Sequence, residues 1–152
     1  MATTLQVGEA IGSYRIVRLL GEGGMGAVYE AAHQQIGRRA AAKILTLDPR
    51  RYPNLYHRFV NEARAANQIK HPGVVQVFEF GQLGDGTPWM LMEYLEGHTL
   101  GAYLRAAWKA TGRQLGTDGL WIFYELATIL TIAHDSGIVH RSEERRVGKE
   151  CL

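Results

Sequence analysis

The run Leu20-Gly21-Glu22-Gly23-Gly24-Met25-Gly26-Ala27-Val28 constrains this chain more than any other stretch. Gly21, Gly23 and Gly26 set out a G-x-G-x-x-G pattern, and Gly24 adds a fourth glycine. Glycines at this density let a backbone take positive φ and approach a bulky anion, with amide N–H groups turned toward it. A polyphosphate is the natural guest. Two unrelated folds use the pattern. One is a strand, loop and helix that hold a dinucleotide; the other is a strand, loop and strand that form a flap over nucleotide phosphates.

Both can be written onto these residues. In the first, residues 14–20 are the opening strand, 27–35 a helix and 39–46 the second strand, with Asp48 near the place of a ribose-binding acid. The helix propensity of Ala, Glu and Gln favours it slightly. Lys43 argues against it, because it would fall mid-strand in a sheet buried on both faces. An unpaired ammonium there is costly or loses its proton. In the second, residues 14–20, 27–33 and 38–45 are consecutive antiparallel strands and 34–37 make the second turn. Lys43 then projects beneath the loop, where its charge can meet phosphate oxygens. After a loop marked by Pro49 and Pro53, residues 55–68 read as a helix with Leu55, Phe59, Val60, Ala63 and Ala66 on its apolar stripe. Glu62 lies beside that stripe, able to partner Lys43.

This order of glycine loop, lysine strand and glutamate helix resembles the protein kinase family. The Gly-Gly-Met-Gly variant is similar to bacterial serine/threonine kinases of eukaryotic type. The lysine motif is Ala40-Ala41-Ala42-Lys43, where the family has Val-Ala-Ile-Lys. The resemblance implies an α+β fold: a five-stranded antiparallel sheet plus one helix as a protein-kinase-like amino-terminal lobe, followed by the first helices of an α-helical lobe. It implies a lead-in over residues 1–13, a lobe over 14–93, a hinge over 94–98, the start of the second lobe over 99–141, and a tail over 142–152 outside the pattern. It also implies ATP held by Leu20, Gly21, Glu22, Gly23, Gly24, Met25, Gly26, Ala27, Val28, Ala41, Lys43, Met92, Glu93 and Leu95. Leu20, Val28 and Ala41 would close on adenine with Met92 as gatekeeper, while the backbone of Glu93 and Leu95 would bond its edge. Lys43 and Glu62 would be catalytic, the carboxylate orienting the ammonium toward the α- and β-phosphates.

Further along, residues 75–80 and 89–94 read as strands joined by a turn at 84–87. A helix is expected over 99–110, a loop over 112–116, and then a helix over 119–136 that is apolar nearly all round. Thr117-Asp118 would cap it and Gly137 end it. Ile138-Val139-His140-Arg141 resembles the opening of the kinase catalytic loop. Ser142 then stands where the family has the Asp that accepts the substrate hydroxyl proton. Glu144 replaces a Lys, and Val147 the Asn that holds magnesium. His140 and Arg141 are the remnant of that loop, and the string from Arg141 also resembles the translated frame of a sequencing adapter. The resemblance therefore implies a parent enzyme that uses ATP and Mg2+ to phosphorylate Ser or Thr of protein substrates, with this chain itself inactive. The alternative is a nucleotide-binding pseudokinase or scaffolding module, for which Ser142 is the argument.

Composition narrows the partners. A formal charge of +2 over 152 residues is too small to argue for nucleic acid or a membrane surface, and neither is expected as a partner. The single cysteine, Cys151, excludes an internal disulfide and fits a reducing compartment. Residues 1–12 lack the charged-then-apolar build of a secretory signal. No apolar run reaches the roughly 18 residues that span a bilayer. The expectation is a cytoplasmic segment of a parent that a downstream span could anchor.

Overall fold

In segment 26–33, Ala27, Tyr29 and Ala31 are all buried while Val28 and Ala32 are less so, a two-residue period that belongs to a strand. The computed structural model describes residues 4–23, 26–47, 51–112 and 117–138. It divides into two units, Met1–Asn67 with Val75–Gly97, and Gln68–Val74 with His98–Leu152.

Among its described residues the first unit is a six-stranded sheet and one helix. Its strands are β1 (Ala10–Ile11), β2 (Tyr14–Gly23), β3 (Gly26–His33), β4 (Arg39–Ile44), β5 (Val77–Gln82) and β6 (Pro88–Glu93), with α1 (Pro53–Gln68) between β4 and β5. The spatial order is β1-β2-β3-β4-β6-β5, and every neighbouring pair is antiparallel. A strand at Gly26–His33 and an antiparallel sheet exclude the dinucleotide arrangement, despite local helix propensity. Small side chains settle the contest: Ala31, Ala40 and Ala42 are fully buried beside Tyr29, Ile44 and Leu91 in one core. A second cluster, Leu45, Phe59, Ala63, Val77 and Met90, packs α1 onto the sheet. Burying a side chain the size of Phe59 or Met90 contributes about 2 kcal/mol.

The sheet has six strands rather than five because residues 10–11 are not a loose lead-in. Gly12 takes φ 54°, in the left-handed region that suits glycine, and turns the chain so that Ala10 pairs with Arg15 and Ile11 with Tyr14. Ile11 is 1% exposed, and that burial offsets the entropy of ordering two more residues. At the other side of the sheet β5 begins and ends two residues later than the expected 75–80, and β6 one residue earlier than the expected 89–94.

The second unit holds α2 (Leu100–Thr111) and α3 (Thr117–Asp135). Thr99 Oγ1 accepts from Ala102 N at 3.2 Å to cap α2, and Gly112 closes it at φ 67°. Thr117 and Asp118 lie inside the first turn of α3 rather than before it as caps. Its far end is a Schellman motif: Gly137, φ 73°, donates to His134 O and Ile138 N donates to Ala133 O. Leu120, Trp121, Phe123 and Tyr124 are exposed on α3. Among the described residues no helix is long and apolar enough to cross a membrane.

Candidate functional site

Strand register assembles the site. Val28 stands opposite Lys43 and Lys43 opposite Met90; two pairs along, Glu30 stands opposite Ala41 and Ala41 opposite Met92. Paired residues share a face of the sheet, so these six side chains belong to one face, the one on which Met90 meets Phe59 of α1. Lys43 Nζ donates to Glu62 Oε1 at 2.6 Å and lies 5.9 Å from the centre of the Phe59 ring. The Lys43 side chain is 17% exposed and that of Glu62 49%. Glu62 thus reaches in from a wet surface to a lysine that is largely sheltered. A pair so open to solvent adds at most about 1 kcal/mol to stability. The arrangement does more to aim the ammonium than to hold the fold.

The β2–β3 hairpin carries the glycines, with Gly21 opposite Val28, Glu22 opposite Ala27 and Gly23 opposite Gly26. Gly21, Gly23 and Gly26 do not use positive φ, contrary to the expectation from their density; all three lie in strand. What they provide is space. A Cβ on Gly26 would stand 1.9 Å from Ile44 O, so no side chain fits between β3 and β4 there. Around Gly21 and Gly23 there is nothing within 4 Å of a Cβ position, which leaves their backbone open to a guest. Leu20 sits at an irregularity in the β2–β3 register and is exposed, as is Glu22. Ala27 points into the sheet core, so it can offer a ligand only its backbone. Gly24 and Met25 lie outside the described residues, as do His140 and Arg141.

Met92 is partly buried against the cluster that holds α1. Glu93 N donates to Gln76 O at 3.0 Å, so any contact from Glu93 to a base edge must come through its carbonyl. Leu95 is 63% exposed. Among the described residues no group of three or more His, Cys, Asp or Glu is placed to hold a metal ion. The described residues therefore do not by themselves fit a magnesium site.

Two groups escaped the sequence reading. Glu30, 7% exposed, accepts from Arg18 Nε at 2.7 Å and Arg39 Nε at 2.8 Å. The Arg39 hydrogen bond holds its carboxyl below the usual range, against the desolvation that pushes it up; the charges of Arg39 and Arg18 add to the lowering. The same bond raises Arg39. Asn67, in the last turn of α1, donates through Nδ2 to Val77 O at 2.7 Å and accepts from Val77 N at 3.0 Å. That pins the start of β5 to the end of the helix. The one available signal for Glu30 was its place two residues after Val28, on the same side of a strand.

Comparison with known proteins finds a family for the chain. The protein kinase domain model matches residues 14–142. Serine/threonine-protein kinase Pkn1 of Myxococcus xanthus is 41% identical over 138 residues, covering 89% of this chain and 18% of that protein. Serine/threonine-protein kinase PknJ of Mycobacterium tuberculosis is 37% identical over 141 residues, covering 93% of this chain and 23% of its own length. The chain thus spans about a fifth of these curated relatives. Among solved structures, the PknI kinase domain of M. tuberculosis superposes with a TM-score of 0.68 at 28% identity, over 91% of this chain and 54% of that one.

Proposed function

The chain belongs to the protein kinase domain family, and from that premise we propose that it is the nucleotide-binding part of an ATP-dependent serine/threonine protein kinase. The observation that carries the reading is the 2.6 Å contact between Lys43 Nζ and Glu62 Oε1 on the face flanked by the glycine hairpin. Bound ATP would supply the phosphoryl group. The backbone at Gly21 and Gly23 approaches the phosphates without side chains in the way, and Lys43 neutralises their charge. Glu62 keeps that ammonium from turning away, which is the positioning and electrostatic work phosphoryl transfer needs. Leu20, Val28, Ala41 and Met92 surround the base, and the Glu93 carbonyl and Leu95 N–H take its edge.

Protein Ser and Thr hydroxyls are the proposed acceptors of the parent enzyme, with Mg2+ as its second cofactor. No step is assigned to a metal held by the described residues. In the 152-residue chain Ser142 offers no carboxylate to take a hydroxyl proton. Loss of a positioned base alone costs roughly 10² or more in rate, so this chain binds nucleotide and does not transfer phosphate.

An ATP acyl-phosphate probe, which acylates a lysine lying beside the phosphates, tests the reading. Peptide mass spectrometry should find the label on Lys43 and find it suppressed by excess ATP. Label spread over Lys70 and Lys109 without ATP protection would remove the nucleotide site. Phosphate transfer from ATP to any protein by this chain would contradict its inactivity.

A further inference from the structure

Glu30 has no part in the phosphate chemistry, yet it lies on the proposed nucleotide face, opposite Ala41 and two pairs along from Val28 and Lys43. A nearly buried carboxylate must be paired, and one arginine would suffice. This chain supplies two, Arg18 and Arg39, from the strands on either side of β3. The other contacts of these arginines explain the second. The Arg39 guanidinium lies 4.0 Å from the centre of the Tyr94 ring and also pairs with Glu96. Arg18 donates from its second terminal nitrogen to the Tyr94 hydroxyl at 3.2 Å. Tyr94 is therefore gripped across its face and at its tip, and it stands between Glu93 and Leu95, the two residues whose backbone would meet the base.

We propose that Arg39, locked in place by Glu30, is a positioning residue for an adenine nucleoside: by fixing the Tyr94 ring and the Glu96 carboxylate to the sheet, it sets the backbone of Glu93 and Leu95 against the base. The inference rests on the nucleotide reading above. It differs from simple strand-to-strand adhesion in one respect. Adhesion would act on base and phosphate binding together, through overall stability, whereas a hinge-positioning clamp acts on the base alone.

Calorimetric titration of the full 152-residue chain with adenosine, ATP and inorganic tripolyphosphate separates the two. Glu30→Gln and Tyr94→Leu should each weaken adenosine and ATP by about tenfold, as expected for one misplaced hydrogen bond. Tripolyphosphate binding should not change. Should Glu30→Gln fail to fold, Tyr94→Leu, outside the sheet, carries the same prediction alone. Adenosine binding at the wild-type level in the folded variants would overturn the inference and leave the nucleotide reading intact. So would a parallel loss of all three ligands with a fall in melting temperature. A wild-type chain that bound neither adenosine nor ATP would overturn both.

Discussion

A methyl group on Gly26 would stand 1.9 Å from the carbonyl oxygen of Ile44, a contact that only a backbone shift can relieve. Gly26→Ala should therefore destabilise the chain by about 2 kcal/mol or more. Gly21→Ala, which points into open space in strand conformation, should stay within about 0.5 kcal/mol of wild type. Urea unfolding of the two variants checks this, and equal losses would contradict it. Lys43 and Glu62 were legible in the sequence because residue type, order and intervening elements together point to a pair. Glu30 was not. A lone acid in a strand reads as solvated, and its arginines lie on other strands, so only the folded register brings them together. The role of Gly26 was legible as a need for glycine but for a different reason, since the density of glycines suggested positive φ where the structure shows close strand approach.

At the scale of elements, periodicity located the six longer strands and helices of the first unit to within a few residues, because each buries one face and alternates accordingly. The β1 strand escaped because two residues carry no period; its evidence is a glycine turn and one buried isoleucine. Helix propensity misleads at Gly26–His33, where burial of Ala27, Tyr29 and Ala31 in the sheet outweighs it. The Glu30 tie, which joins β2, β3 and β4, carries a pH signature. Its carboxyl is lowered in the folded state, chiefly by the Arg39 hydrogen bond, so the unfolded chain takes up the proton first. The stability it contributes is complete above the ordinary value of 4.5 and is lost as pH falls through the lowered native value. Urea midpoints measured between about pH 6 and about pH 3 should fall more steeply for wild type than for Glu30→Gln. The other carboxylates cancel in that comparison, and parallel acid slopes would contradict the tie.

For the molecule as a whole, the family and its lobe-like first unit were readable from four motifs spread over its length, while the second unit was readable mainly as helices. Trp121, Phe123 and Tyr124 are exposed on α3, the helix that its sequence marks as apolar nearly all round, and the chain corresponds to about half of the PknI kinase domain it superposes on. Lys43, aimed by Glu62, is proposed to hold the nucleotide phosphates. The most direct test is the preference of the intact chain for ATP over adenosine, measured by calorimetry for wild type and Lys43→Met. The wild type should prefer ATP and Lys43→Met should lose that preference by about tenfold or more, the worth of a charge-assisted contact, with adenosine affinity unchanged. A Lys43→Met chain that kept the full preference for ATP would contradict this role.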